Sequence, residues 1–187
     1  MWEPWIGSEY SRRKLLLLGE SCYDWRGEAG ELIHPQPDHP KMLARWAMDD
    51  PPTNQRFMAK VTRAICRAPW PTVEQAQKAW QSVAFTNYIP ISVGEGSGGR
   101  KLDAAWEQAR TEWPDLLNLL RPRVVIVLGW ALRAHMPLAD KTVDENTQAY
   151  ILADGKSATC WATKHPRSGP PWEWYASFIA RADQETN

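Results

Sequence analysis

The sequence has no excess of charge of either sign. Its 187 residues carry 22 Lys and Arg against 22 Asp and Glu, so the formal net charge at pH 7 is zero. This balance excludes a protein that holds nucleic acid through a general positive potential. It leaves open a local cluster of cations, because a few Lys and Arg side chains are enough to contact phosphate.

Cysteine is scarce. The chain has only Cys22, Cys66 and Cys160, which lie far apart and form no Cys-x-x-Cys pair. A four-cysteine zinc site or an iron–sulfur cluster supplied by this chain is therefore excluded. An odd number of widely spaced cysteines is typical of reduced thiols in the cytoplasm. The four histidines are scattered along the chain, and we expect no metal ion and no cofactor.

Long hydrophobic runs are also missing. The longest apolar run has only the length of a strand, which excludes a membrane-spanning helix. Residues 1–5 contain no basic segment followed by an apolar stretch, so we expect no signal peptide. The length suits one domain whose core forms without disulfides. We therefore expect a single cytoplasmic domain over residues 1–187, monomeric and with no membrane partner.

Tryptophan, in contrast, is abundant, with twelve residues in the chain. Indole rings either fill a core or stack on nucleic-acid bases. Trp80, Trp106 and Trp113 recur at helical spacing with other apolar residues, which predicts that they lie in the core. The candidates for base-stacking or wedge residues are the indoles beside predicted loops, Trp25, Trp130 and Trp172.

Predicted strands alternate with predicted helices. The apolar runs 14–19 and 123–129 predict strands buried on both faces, and segments 83–88 and 157–163 are further strands. Helices are predicted near 41–47, 55–67, 72–80, 102–120 with a break or kink at Pro114, 130–135 and 171–181. Residues 27–50 otherwise read as loop. This order favours an α/β fold, a three-layer αβα sandwich around a central four-stranded, mainly parallel sheet.

In such sheets the functional residues lie in loops at the carboxyl ends of the strands. Those loops are 19–23, 87–100, 129–130 and 164–169. The residues found there are Gly19-Glu20-Ser21-Cys22-Tyr23 after the first strand, Asn87 after the second, Gly129 after a strand preceded by Arg121-Pro122-Arg123, and His165-Pro166-Arg167-Ser168-Gly169 after the fourth.

This order of loops resembles the uracil-DNA glycosylase superfamily, and the resemblance extends over residues 14–169. It implies that the Asn87 amide reads the edge of a pyrimidine, since an amide offers one acceptor and two donors. It implies that His165 contacts the pyrimidine carbonyl and stabilises the departing base anion. Tyr23 would form a wall of the pocket with Trp25 beside it. The target nucleotide would have to leave the base stack to reach this pocket.

The resemblance also implies a partner, which is single- or double-stranded DNA. Phosphate would be held by Arg167, Ser168 and the backbone N–H groups that open the last helix. Lys164 and Arg100 lie in neighbouring loops and would add to this grip.

The first loop departs from the family pattern. Many members carry Asp or Asn at its third position, where it orients or activates the attacking water, whereas this chain has Ser21. A serine hydroxyl has no useful basicity at neutral pH. Glu20 is the carboxylate within the loop and would take over this role. Two hypotheses follow, namely a DNA glycosylase acting on uracil or a modified pyrimidine, and a catalytically silent nucleic-acid-binding protein on the same fold.

Each of these residues also has an ordinary structural explanation. Asn87 caps turns well, and Glu20 is able to pair with Arg26. Tyr23 fits a core position, and His165 fits a surface loop. The four together in order are what favours the functional interpretation.

Residues 94–99 match Gly-x-Gly-x-x-Gly, which keeps a third hypothesis open, a small-molecule nucleotide-binding enzyme. A dinucleotide fold needs this turn directly after its strand and an acidic residue at the end of the next strand. Here residues intervene, Pro90 among them, and the next strand ends in Gly129-Trp130. We interpret the segment as a loop that presents Arg100 and Lys101 to phosphate.

Overall fold

The computed structural model describes residues 2–51, 56–95 and 102–185. Its strands are β1 (Trp5–Ile6), β2 (Leu15–Gly19), β3 (Cys22–Arg26), β4 (Leu32–Ile33), β5 (Val83–Asn87), β6 (Ser92–Glu95), β7 (Val124–Leu128), β8 (Lys141–Asp144), β9 (Thr147–Ile151) and β10 (Ser157–Thr163). Its helices are α1 (Tyr10–Arg13), α2 (His39–Asp49), α3 (Arg56–Cys66), α4 (Val73–Gln81), α5 (Leu102–Leu120), α6 (Trp130–His135) and α7 (Trp172–Glu185).

The main sheet has seven strands in the order β1-β5-β2-β7-β10-β9-β8. Strands β5, β2, β7 and β10 pair with their neighbours in parallel. Strand β1 pairs antiparallel with β5, and β9 and β8 extend the other side antiparallel. The α/β class is thus confirmed. The sheet has seven strands instead of the predicted four, and it combines parallel with antiparallel pairs. Strands β1, β8 and β9 were not predicted; β1 has only two residues, and every residue of β8 is exposed.

Helices pack on both faces of this sheet. Successive side chains of a strand point to opposite faces, so an all-apolar strand supplies two cores. Leu16 and Leu18 of β2 join a cluster with α5, whereas Leu15 and Leu17 join one with α2, α3, α4 and α7. All four leucines are at most 1% exposed, and burial of each contributes roughly 1.5–3 kcal/mol.

The predicted helices are present, with one correction. Helix α4, predicted over 72–80, begins with a capping box in which Thr72 and Gln75 exchange hydrogen bonds. The sequence predicted a break or a kink at Pro114; helix α5 runs through this residue, so the break is wrong. Proline removes one backbone hydrogen bond, but Trp113 and Leu117 keep the same face buried, which offsets that loss. Trp80, Trp106 and Trp113 are at most 5% exposed, as predicted for core residues.

A second, three-stranded sheet has the order β4-β3-β6. Strand β3 pairs antiparallel with β4 and parallel with β6. The sequence predicted mostly loop in this region. Two short strands were not recognised there because Gly, Pro and His residues interrupt the strand pattern. Among the described residues, no helix combines the length and the apolar character needed to cross a membrane.

Candidate functional site

The four parallel strands bring their carboxyl ends to one edge of the sheet. Gly19 is paired with Asn87 across β2 and β5, and Leu128 is paired with Thr163 across β7 and β10. The loops that follow these residues therefore leave the sheet side by side. These are the loops that carry the candidate residues.

Asn87 is fixed against the first of these loops. Its side chain is 6% exposed, and its Oδ1 lies only 2.3 Å from the point where a Cβ on Gly19 would stand. The backbone N–H of Tyr88 donates to the Gly19 carbonyl at 2.8 Å, and that of Ile89 donates to the Glu20 carbonyl at 2.9 Å. Only glycine at position 19 leaves room for the amide, so the two loop starts form one packed unit.

The first loop contains Glu20 and Ser21, the two residues that the resemblance links to water activation. Glu20 is half-buried directly after β2, and its backbone carbonyl is tied to the second loop. The Oγ of Ser21 is buried and has no hydrogen-bond partner among the described residues. An unpaired buried hydroxyl costs free energy, and functional sites are common places for such groups. Burial raises the pKa of the thiol of the next residue, Cys22, to about 12, which disfavours the reactive thiolate at neutral pH.

His165 lies over the end of β7. Its Cδ2 is 3.7 Å from the position that a Cβ on Gly129 would occupy, and its ring centroid is 5.4 Å from that of Phe57. Its Nδ1 accepts a hydrogen bond from the backbone N–H of Arg167 at 3.2 Å. A neutral imidazole that accepts at Nδ1 carries its proton on Nε2. His165 therefore presents a hydrogen-bond donor at Nε2.

The loop around His165 is held in place from two helices. Tyr175 of α7 donates to the Lys164 carbonyl at 3.0 Å, and the Lys60 ammonium of α3 donates to the Gly169 carbonyl at 2.8 Å. The Ser168 N–H donates back to the His165 carbonyl at 3.2 Å. Gly169 is packed tightly, since an added Cβ would lie 2.1 Å from the Tyr175 hydroxyl. This site thus rests on rigid elements, as a binding constellation requires.

The cations proposed to hold phosphate differ in how firmly they are placed. Lys164 is exposed, and its ammonium lies 5.3 Å above the ring of Trp130, which is itself 49% exposed. Arg167 and Ser168 are exposed on the same loop as His165. Arg100 lies outside the described residues. Trp172 is half-buried as the first residue of α7.

The structure places Tyr23 and Trp25 on β3 of the small sheet. Tyr23 is half-buried and packs on the core cluster that contains Tyr88. Trp25 is 39% exposed, and its ring lies 5.6 Å from the ring of His39 at the start of α2. Burial lowers the pKa of His39, so this ring is neutral at pH 7. Trp25 is therefore already engaged by the small sheet and α2.

The described residues contain no group of three or more His, Cys, Asp or Glu side chains arranged to hold a metal ion. All three cysteines are free thiols. Among the groups that the described part of the chain brings to this edge are an amide, an imidazole, a carboxylate, a hydroxyl and the cations of Lys164 and Arg167.

Sequence reasoning missed an aromatic cavity on the same edge of the sheet. It has a volume of about 330 Å³ and is lined by residues of β10, α6, α7 and the turn between β8 and β9. Trp174, Phe178 and Arg181 line it from one face of α7. Their spacing of four and three residues along an amphipathic helix was the available signal.

No protein-family model matches this chain, and no curated protein matches it either. The functional interpretation therefore depends on the residues and their geometry.

Proposed function

We propose that this protein is a DNA glycosylase that hydrolyses the N-glycosidic bond of an extruded uracil or modified pyrimidine. The observation that carries the proposal is the arrangement of Asn87 and His165 at one edge of four adjacent parallel strands, each packed against a glycine. Helices on both faces of these strands are what the resemblance to uracil-DNA glycosylases implies. The partner is DNA, single- or double-stranded, and no cofactor is required.

In the proposed reaction, the bond between the sugar C1′ and the pyrimidine N1 breaks and the base departs as an anion. The negative charge develops partly on the pyrimidine O2. His165 donates its Nε2–H to that oxygen, which stabilises the anion most strongly in a site that excludes water. Asn87 holds the opposite edge of the base through its acceptor and donors. A water molecule adds to C1′, and the products are an abasic sugar and a free base.

Glu20 is proposed to serve the water and the sugar. Its carboxylate would stabilise the oxocarbenium-like centre at C1′ and accept the proton of the attacking water. Ser21 would contribute only a hydrogen bond, because a hydroxyl is not a base at neutral pH. Tyr23 and Trp25 stay candidates for the pocket wall, and Lys164, Arg167, Ser168 and Arg100 for the phosphate contacts.

The second candidate function is a DNA-binding protein that releases no base. The residue that favours it is Ser21, which stands where many family members have Asp or Asn. The Glu20→Gln variant separates the two functions, because it removes a carboxylate and keeps the shape. A glycosylase would lose turnover and keep DNA binding, whereas a silent binding protein would show no turnover before or after the change.

The test uses the full chain and oligonucleotides that carry one uracil or one modified pyrimidine, as single strands and as duplexes. We expect alkali-labile sites at the modified position, and their loss in His165→Ala and Asn87→Ala. His34→Ala is the control for loss of a histidine to which the proposal gives no role; this residue is exposed between β4 and α2 and pairs with Asp24 at 3.0 Å. An absence of cleavage across the whole panel, together with salt-dependent binding, would refute catalysis and favour the silent binding protein.

A further inference from the structure

The aromatic cavity is lined by none of the residues assigned to base excision, namely Glu20, Asn87 and His165. Trp161 of β10, Trp174 and Phe178 of α7 and Trp130 at the start of α6 supply its aromatic lining. The turn between β8 and β9 closes another side with Asp144 and Glu145 among others. Its volume of about 330 Å³ falls within the range of small-molecule sites.

The aromatic lining differs from that of an ordinary core. Trp161 is only 2% exposed, yet its indole Nε1 has no hydrogen-bond partner among the described residues. Buried indole N–H groups normally find an acceptor. Trp174 and Phe178 lie edge to face with centroids 4.7 Å apart, and both stay half-buried. Trp130 is 49% exposed, so aromatic surface is open to an incoming ring.

Two cations of the protein lie on these indoles. The Arg181 guanidinium is 4.5 Å above the ring of Trp161, and the Lys164 ammonium is 5.3 Å above the ring of Trp130. A cationic ligand would therefore meet like charge at both rings. A planar neutral ring would instead stack on aromatic or guanidinium surfaces, and an attached anion would be attracted by both cations.

The turn adds hydrogen-bond acceptors. The carboxylate of Asp144 accepts from the backbone N–H of Asn146 at 2.8 Å. This bond and others from Thr147 hold the pKa of Asp144 below its usual range, so it is ionised at neutral pH. Glu145 lies next to it on the same lining. Carboxylates accept hydrogen bonds from the exocyclic amino groups of bases.

We propose that this cavity binds a nucleobase together with its phosphate. The base stacks on the aromatic lining, its amino group donates to Asp144 or Glu145, and its phosphate lies near Arg181 and Lys164. Stacking of bases on aromatic side chains is a common source of affinity in proteins that bind single strands.

Two ligands have this chemistry: a free nucleotide, and the nucleotide next to a target base in DNA. Trp130 directly follows Gly129, against which His165 packs, and Lys164 directly precedes His165. A strand whose target base enters beside His165 would thus pass Lys164 and Trp130 on its way to the cavity. This DNA source rests on the proposed function, whereas the free-nucleotide source does not.

The test measures equilibrium binding of dAMP and dCMP, of dTMP as the probe without an exocyclic amino group, and of an oligonucleotide without uracil that contains the fluorescent base 2-aminopurine. We expect dAMP, dCMP or the oligonucleotide to bind more tightly than dTMP, and this binding to be weakened at least tenfold by Trp130→Ala or Arg181→Gln. The matched control is Trp70→Ala, because Trp70 is 73% exposed and carries Arg63 4.8 Å above its ring, outside the cavity lining.

The outcomes distinguish a free-nucleotide site from a site for a DNA neighbour, and this proposal from the proposed function. Binding of free nucleotides supports a free-nucleotide site, whereas binding of the oligonucleotide alone supports a site for a neighbouring base in DNA. No binding of any probe, or equal loss in Trp70→Ala, would overturn the proposal, as would binding of tetramethylammonium in preference to every nucleotide. Base excision is assayed separately, so its failure with nucleotide binding intact would refute only the proposed function.

Discussion

Replacement of Gly19 by alanine tests whether the contact between β2 and Asn87 serves function more than folding. The new Cβ would stand 2.3 Å from Asn87 Oδ1, and carbon atoms of this kind keep at least 3.0 Å from their neighbours. The amide oxygen must therefore move by about 0.7 Å. Strand β2 tolerates alanine in other respects, because the backbone of Gly19 is not in the left-handed region.

The stability cost of this change is small. The obstacle is a side-chain oxygen, and turning a side chain about 30° from its rotamer costs roughly 0.5–1.5 kcal/mol. In a protein of this length, that lowers the midpoint of thermal unfolding by about 1–6 °C. The functional cost is expected to be far larger, because a displacement of about 1 Å at a reacting group reduces the rate about a hundredfold.

The assay compares Gly19→Ala with Gly30→Ala. Gly30 has a φ of +83° and nothing within 4 Å of an added Cβ, so alanine there costs a similar roughly 1 kcal/mol through backbone strain alone. We expect similar melting temperatures for the two variants but a loss of base excision or DNA binding only in Gly19→Ala. Equal activity of the two variants would refute the role assigned to Asn87. Unfolding of Gly19→Ala would refute the estimate of a small structural cost.

Three further predictions concern stability and reactivity. Thr62→Val removes the acceptor of the buried Trp80 indole N–H and should cost about 1–3 kcal/mol in urea unfolding, with Thr62→Ser as the control that keeps the bond. Burial lowers the pKa of His39 in the folded protein. As the pH falls through the ordinary pKa of histidine, this residue is therefore protonated in the unfolded chain before it is protonated in the folded one. Stability should therefore decrease below about pH 6.5, less steeply in His39→Gln, and identical pH profiles would contradict this. Cys66 is the least buried thiol, although burial raises its pKa to about 11, and mass spectrometry should find it alkylated before Cys160 in the native protein. Earlier labelling of Cys160 would contradict the packing around β10.

The sequence predicted the parts of the fold that are encoded by strong local patterns. Strands β2 and β7 are continuous apolar runs, and helix α4 begins with a short capping motif. All three elements were therefore predicted near their observed bounds. The small sheet was missed because β3 and β4 alternate weakly and lie among glycines and prolines. Local sequence patterns also favoured a break or a kink at Pro114. Helix α5 continues through this residue because one face of the helix is buried in the folded protein, which a local pattern does not show.

The candidate site was predictable only in part. Parallel pairing brings Asn87 and His165 to one edge, and their order along the chain was sufficient to propose this. The close contact of Asn87 with Gly19, and the hydrogen bond from the Arg167 N–H to His165, depend on three-dimensional packing. The aromatic cavity was missed because the spacing on α7 indicates only one of its walls, and the other walls come from elements far apart in the chain.

The two outermost strands of the main sheet determine how copies of this protein are able to meet. One edge is β1, with only two residues, and the other is β8, which is four residues long and begins with Lys141 and ends with Asp144. Short or charged edge strands are poor templates for backbone pairing with another chain. Pairing of these two edges with the main sheet of another copy is therefore disfavoured.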